Sequence, residues 1–437
     1  MINRLISPVR VDIVLNKDCN HKCLHCYNPW RSHTGTKVNK DLVDYKKNID
    51  IIADELKKAN IWSAILTGGE PLLHPEFLYY AIKAFKELGI SMSLNTNLTL
   101  ITDEIANRLK DECAWNGIIL TSMPSINEEV CDSITRVKGS FSRIMKGIEI
   151  CRKHGLRVGI NTVITKRNIC DLDNYLEFIH SNPLIEYVSI STVIPPSYDV
   201  DNTDYYLEDD DIIKIADTLL KIKNTTDIEI GSVTPLPLCI LKKADKYLPV
   251  LDTTCVAGIS KCTIEVETGN VFACAHEEEP YGNIYDDGLS ECWDKMVSWS
   301  ELSNLIDECK GCKWLYLCGG ECRMQRVGTR HLPKYSINPN ADISFSLDSV
   351  DNLPHFPDDG ISLCINPDLK VRKENFGYIV RAQYIETQMS ENLYRFCESL
   401  KTRGDFTMSD LKNSISNFND VKPVILSLLN RKVILIK

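Results

Sequence analysis

No run of about 18 apolar residues occurs anywhere in the 437-residue chain, so no membrane-spanning helix is expected. The N-terminus, MINRLISPVRVDIV, lacks the apolar core of a signal peptide. Basic charge is not in excess: the net charge of −10 argues against a dedicated nucleic-acid binder. Internal repeats and low-complexity segments are absent as well. What is present is ordinary core material, 43% hydrophobic and 25% charged residues, enough for two to four domains. There are also 18 cysteines. In a long chain without an export signal, thiols in that number point to metal sites and a reducing cytoplasm rather than to disulfides.

Cys19, Cys23 and Cys26 lie within KDCNHKCLHCYNPW. So short a span brings three thiols to one centre. Three thiolates suit an iron–sulfur cluster that leaves one iron without a protein ligand, and such an iron can bind and activate a small molecule. The alternative is a zinc site, which usually offers two CxxC pairs or added histidines, and no fourth ligand is evident nearby. The spacing C-x3-C-x2-C, followed by Tyr27 and preceded by a predicted strand at Val11–Leu15, resembles the signature of radical S-adenosylmethionine (SAM) enzymes.

The first half of the chain alternates β-branched runs with helical stretches. Strands are expected at Val11–Leu15, Ala64–Thr67, Ser91–Asn95, Gly117–Thr121, Arg157–Ile164 and Tyr187–Thr192. Helices are expected at Lys40–Ala59, Glu76–Leu88, Ile101–Cys113, Ser142–His154 and Leu172–His180. Such βα repetition gives an α/β fold with a parallel sheet. Six units are fewer than a closed eight-fold barrel needs. The radical SAM resemblance implies a partial (β/α)6 TIM-like barrel over residues 1–225. The segment IPPSYDVDNTDYY (194–206) breaks the pattern, and a helix at Glu208–Lys223 and a bridging segment at 226–254 follow.

The second strand ends in Gly68, Gly69 and Glu70. Two glycines let backbone approach a ligand closely, and a carboxylate beside them could hold an ammonium. This resembles the GGE motif that grips the amino group of SAM; without the triad it would read as a turn. The resemblance further implies that the backbone of His25 contacts adenine, that Ser122 at the fourth strand end touches ribose or carboxylate, and that Arg136 pairs with the SAM carboxylate. An ordinary surface charge is the competing reading of Arg136. Asn95 and Asn97, at the third strand end, are either pocket polars or turn formers. Where the family reads SLDG, this chain has Ser122-Met123-Pro124-Ser125, so the usual acidic residue is missing.

From residue 255 the composition becomes cysteine-rich. Cys309, Cys312, Cys318 and Cys322 give C-x2-C-x5-C-x3-C, with Cys255, Cys262 and Cys274 upstream and Cys364 downstream. Eight thiols can ligate two [4Fe–4S] clusters, and two zinc ions are the alternative. The pattern resembles the SPASM extension of radical SAM enzymes, here over 255–370. By that resemblance Cys255, Cys262, Cys274 and Cys322 hold auxiliary cluster I, and Cys309, Cys312, Cys318 and Cys364 hold auxiliary cluster II. With the triad this makes three [4Fe–4S] clusters plus SAM, with an electron donor of flavodoxin or ferredoxin type. Of the remaining cysteines, Cys239 in TPLPLCIL is the one that stands out; the others sit in apolar settings typical of inert thiols.

The tail, residues 371–437, reads as a hairpin (NFGYIVRAQYIETQ), three helices with Ser390, Thr407 and Asp420 near their starts, and a closing strand KVILI. It resembles a winged helix of the PqqD-like type that binds the leader of a precursor peptide by strand addition. DNA binding would need a basic third helix, which is not there. The function implied is radical-mediated modification, with crosslinking expected, of a ribosomally made peptide. An anaerobic sulfatase-type maturase is the alternative, although Ala275 stands after Cys274 where that family carries an aspartate base. An iron–sulfur redox sensor with winged-helix output is the non-enzymatic alternative. No general base can be named from the sequence.

Overall fold

The structure is a computed structural model that describes residues 3–28, 42–196, 199, 202–232, 234–247, 250, 254–301, 304–325, 335–344, 357–383, 385–415 and 417–437. Pro29, Trp30, Lys40, Asp41, part of the 194–206 segment and Tyr384 of the expected hairpin lie outside these residues. The chain forms two compact units, Met1–Phe345 and Ser346–Lys437.

The first unit is built on strands β1 (Arg10–Val14), β2 (Ser63–Thr67), β3 (Ser91–Thr96), β4 (Ile118–Ser122), β5 (Arg157–Ile164), β6 (Tyr187–Thr192) and β7 (Glu229–Gly231). All six expected strands are present within a residue, and β7 is added. Neighbouring strands pair in parallel from β1 to β7. The principal crossover helices are α1 (Leu42–Lys58), α2 (Pro75–Glu87), α3 (Glu128–Thr135), α4 (Ser140–Lys153), α5 (Tyr175–Ser181) and α6 (Asp209–Thr225). The helix expected over 101–113 is shorter: Asp103–Asn107 is α-helical and Arg108–Glu112 widens into a π-turn.

On its other side β1 pairs in parallel with β8 (Lys261–Glu265), which continues antiparallel into β9 (Asn270–Phe272) and β10 (Gly282–Asn283). The cysteine-rich segment thus extends the same sheet, in the order β10-β9-β8-β1-β2-β3-β4-β5-β6-β7. Among the described residues the ends β10 and β7 are not paired with each other, so the sheet stays open.

The two faces of this sheet differ in chemistry because side chains alternate along a strand. One face carries Val11, Ile13, Leu66, Leu94, Ile119, Ile160 and Ile190, all fully buried in the main core. The registers put Asp12 beside Thr263, Asn95 beside Leu120, Ser122 beside Asn161, and Asn161 beside Ser189 on the opposite face. A polar face within a buried parallel sheet is costly unless something polar fills the space over it.

The second unit holds β11 (Ser362–Ile365), then a meander of β12 (Lys370–Glu374), β13 (Gly377–Ala382) and β14 (Ile385–Met389). Helices α7 (Glu391–Arg403), α8 (Met408–Ser414) and α9 (Phe418–Asn430) follow. Short strand β15 (Phe406–Thr407) and closing strand β16 (Ile434–Ile436) flank β11. Ser390 caps α7 through the Leu393 N–H, and Thr407 and Asp410 form a capping box on α8, as expected. Asp420 does not begin its helix, since α9 already starts at Phe418. The expected hairpin is present as β13 and β14, and β12 adds a third strand beside β13. The second unit also begins ahead of residue 371, because β11 pairs with β15 and β16 inside it. Among the described residues no helix is long and apolar enough to cross a membrane.

Candidate active site and metal centres

The cysteine triad sits in the loop after β1. Its first residues are laced to the turn after β2. The Gly69 N–H donates to the Asn16 carbonyl at 2.8 Å and the Glu70 N–H to the Asp18 carbonyl at 2.6 Å. A Cβ on Gly68 would lie 2.6 Å from the Asn16 carbonyl oxygen, and one on Gly69 would collide with Asp18. The glycines are therefore required first by the cysteine loop itself, which passes against them. The Cys26 N–H donates to the Cys23 carbonyl at 3.2 Å, closing a turn between the second and third cysteines. Lys22 and Leu24 donate backbone N–H groups to Thr135 and Ile134 at the end of α3.

Glu70 is fully buried. Its carboxylate accepts from the Leu72 N–H at 2.8 Å, the Thr96 hydroxyl at 2.6 Å and the Asn97 N–H at 2.7 Å. This side chain holds the end of β3, and burial raises its pKa despite these bonds. Asn97, so positioned, donates to Asn20 at 2.8 Å and points its amide at the Cys19 sulfur at 4.0 Å. Asn95 is half-buried on the polar face of β3. Ser122 is exposed at the end of β4. Arg136 is exposed in a left-handed conformation at the end of α3, φ 56°, next to the Thr135 carbonyl that receives Lys22. His25 has a shielded Nδ1 with no partner, and burial lowers its pKa to about 4, so the ring is neutral near pH 7.

A cavity of about 250 Å3 opens beside the triad, lined by Lys17, Tyr27 and Gly68 from one side and Thr263, Phe272 and Ala275 from the other. The Lys17 ammonium and Glu265 carboxylate, 2.9 Å apart, span it. Tyr27 packs on His276, ring centres 4.0 Å apart, and the His276 Nδ1 lies 3.5 Å from the Cys274 sulfur. Glu277 also lines the cavity, and its carboxylate accepts from the Ala273 and Cys274 N–H groups at 2.8 and 3.0 Å, which shapes the turn. On the polar face, Asp12 Oδ1, Ser189 Oγ and Thr263 Oγ1 are buried without hydrogen-bond partners. Such orphaned groups fit a polar occupant of the sheet's inner side.

Cys274, Cys255 and Cys322 are brought together: each of the outer two is a charge neighbour of Cys274, and Cys255 neighbours Cys322. Cys262, the fourth thiol expected in this set, is not among these neighbours. It stands in register with Val11 on the apolar face of β8, with Asp12, Cys292, Lys261 and Arg4 as charge neighbours. Lys261, one residue earlier, faces the Cys274 side and is paired with Asp12 at 2.8 Å. One step along a strand reverses the direction of a side chain.

Arg323, 2% exposed, lies against this trio. It donates to the Trp299 carbonyl at 2.5 Å, its Nε and Nη2 have no hydrogen-bond partner, and its charge neighbours are Cys255 and Cys322. Among the described residues no carboxylate forms an ion pair with it. A buried cation without a counter-ion is strongly disfavoured; an anionic thiolate-bound cluster fits that gap. Burial holds the thiols of Cys274 and Cys309 up to about 12 and pushes the Cys322 thiol up as well. These groups become thiolates when a metal draws the proton off. Among the described residues no three His, Cys, Asp or Glu side chains stand close enough together to hold a single metal ion.

Cys309, Cys312 and Cys318 line a second cavity, together with Cys239. Cys364 lies in the other unit, on β11, its backbone in register with Leu435. Sequence reasoning had no sign of the Arg323 charge gap or the Tyr27–His276 contact. Asp12 in β1, with Lys261, Thr263 and Glu265 in β8, was the available hint of a polar inner face.

Residues 13–179 match the model of the Radical SAM superfamily. The chain is 25% identical over 338 residues to an AdoMet-dependent heme synthase of Methanosarcina barkeri, covering 74% of this chain and 93% of that protein. It is 30% identical over 173 residues to the subtilosin biosynthesis protein AlbA of Bacillus subtilis, covering 39% and 36%. A cysteine-type anaerobic sulfatase-maturating enzyme of Clostridium novyi is 22% identical, covering 74% and 88%. Streptococcus suis SuiB bound to its precursor peptide SuiA shares the fold with a TM-score of 0.58 at 17% identity, covering 78% of this chain and 77% of that one.

Proposed function

Because residues 13–179 form a radical SAM domain, we propose that this enzyme modifies side chains of a ribosomally made precursor peptide, with crosslinking as the expected outcome. Cys19, Cys23 and Cys26 would hold the SAM-binding [4Fe–4S] cluster. Cys255, Cys274 and Cys322 would hold one auxiliary cluster, and Cys309, Cys312 and Cys318 belong to another. Bound there, SAM and the reduced cluster supply a 5′-deoxyadenosyl radical able to take hydrogen from an unactivated carbon.

The observation that carries this reading is the shared cavity. Its lining comes from both the triad loop and the Cys274 loop, so it would hold a side chain between the proposed radical source and the proposed electron acceptor. The chain's own groups do the positioning. The Gly68–Glu70 turn holds the triad loop, and Asn97 fixes its start at Asn20. The neutral His25 is suited to an uncharged contact such as adenine. Phe272 and the aromatic Tyr27–His276 pair help keep water from the reacting centre. The second unit, with edge strands β12 and β14, is suited to capture a leader peptide by strand addition. Ala275 gives the cavity no carboxylate at the position where the sulfatase-type reading needs a base, which favours the peptide-modifying reading.

The test is anaerobic turnover with SAM, a reductant and a precursor peptide from a neighbouring reading frame. Loss of hydrogen mass from the peptide core, together with 5′-deoxyadenosine, supports the proposal. SAM cleavage with no peptide product, across leader-bearing candidates, argues against it.

A further inference from the structure

The family pattern implies Cys364 as the fourth ligand of the cluster held by Cys309, Cys312 and Cys318. The structure offers another thiol, from a segment ahead of the cysteine-rich region. Cys239 lies in the short helix Leu238–Leu241. It lines the same narrow cavity as Cys309, Cys312 and Cys318, whose wall also includes Leu238, Trp314, Leu315 and Ile343 and the acidic Glu308 and Glu321. All four cysteines belong to the first compact unit.

We propose that Cys239 is the fourth thiolate of the second auxiliary cluster, completing Cys309, Cys312 and Cys318.

Three independent observations support it. First, the Cys239 thiol is a charge neighbour of Cys312, and both Cys309 and Cys318 count Cys239 among theirs. Second, backbone N–H groups face two of these sulfurs, Cys318 and Cys239, beside the Gly320 and Pro339 carbonyls that accept from the Cys318 and Cys312 thiols. The Leu238 N–H points at the Cys318 sulfur at 3.5 Å, and the Cys239 sulfur is faced by backbone amides of Asn338 and Ile240. N–H groups aimed at sulfur stabilise thiolate charge at an iron–sulfur centre. Third, among the described residues of the first unit the other thiols of the cysteine-rich region are placed elsewhere. Cys322 is drawn to Cys255 and Cys274, and Cys262 faces the opposite side of β8. The donor set Cys239, Cys309, Cys312 and Cys318 is then all sulfur, as a fully ligated electron-transfer cluster requires.

The inference rests on the reading of the cysteine-rich region as an iron–sulfur module, and the experiment separates the two. The full-length protein is reconstituted anaerobically and its iron, sulfide and zinc are counted, with Mössbauer spectra of C239A, C239S and C364A beside the wild type. Wild type should carry ~12 iron, as three four-iron clusters. C239A should lose about a third of the iron or convert one cluster to a three-iron form. C239S keeps the side-chain size and guards against a packing defect; it should show the same spectral change with an unaltered circular dichroism spectrum. C364A should keep its full iron content. Full iron in C239A and C239S overturns the proposal, as does loss of a cluster in C364A alone. Zinc in the wild type that disappears in C239A overturns the cluster assignment. About four iron in the wild type would instead overturn the underlying reading of the cysteine-rich region.

Discussion

The Tyr27 ring packs on the His276 ring, centres 4.0 Å apart and planes tilted by 34°, and joins the loop of the three N-terminal cysteines to the loop that carries Cys274. The residue that follows the triad is thus tied to the neighbourhood of Cys274. An aromatic pair of this kind contributes ~0.5–1.5 kcal/mol beyond area burial.

His276→Ala should lower the melting temperature by a few degrees and uncouple the reaction, giving more 5′-deoxyadenosine per modified peptide. His276→Phe retains the ring contact and should restore much of the coupling. Equal coupling ratios in wild type and His276→Ala would show that the contact does not organise the cavity.

Arg323 places a buried positive charge against Cys255 and Cys322. Removing it makes addition of an electron to a cluster there less favourable. Arg323→Met should lower the reduction potential of that cluster while the potential of the SAM cluster stays put, as read by EPR-monitored redox titration. An unchanged or raised potential would contradict the placement of an anionic cluster beside this side chain.

Glu70 holds three donors at the end of β3, and truncation leaves them buried without an acceptor. Glu70→Ala should cost on the order of 2–4 kcal/mol of stability, and weaken SAM binding through the displaced Asn97. Denaturant unfolding and equilibrium dialysis of SAM measure the two effects. Weakened SAM binding at full stability would show instead that the carboxylate meets SAM directly.

The second unit begins at Ser346, so a deletion meant to remove leader recognition must start there. A cut at residue 371 would leave β11 without its partners β15 and β16. Residues 1–345 should still cleave SAM but modify peptide far more slowly at low peptide concentration, and excess peptide should recover part of the rate. Undiminished modification at low peptide concentration would leave the second unit without a recognition role.

Much of this was legible in the sequence because it was written in local patterns. The six βα repeats follow from β-branched runs and helical periodicity, and the cysteine motifs from fixed spacing. What was not legible depends on which way a residue faces after folding. Cys262 and Lys261 are neighbours in sequence and lie on opposite faces of β8, which only the register with Val11 and Arg10 decides. Glu70 sits in a ligand-binding motif, yet its carboxylate is taken up by groups 26 and 27 residues away. The strand β12, KVRKE, carries too much charge to read as a strand until its pairing with β13 is seen. Cys239 lies in an apolar run that looks like core, and only the fold brings it to Cys309, Cys312 and Cys318.

The central claim is that Cys19, Cys23 and Cys26 hold the cluster at which SAM is cleaved. The direct measurement is 5′-deoxyadenosine formation under anaerobic reduction by the reconstituted wild type and by the triple variant C19A/C23A/C26A, each with its iron content counted. The account predicts product from the wild type, none from the triple variant, and a variant that has lost one cluster's iron while keeping the rest. Continued 5′-deoxyadenosine formation by the triple variant, or no product from a fully loaded wild type, would contradict it.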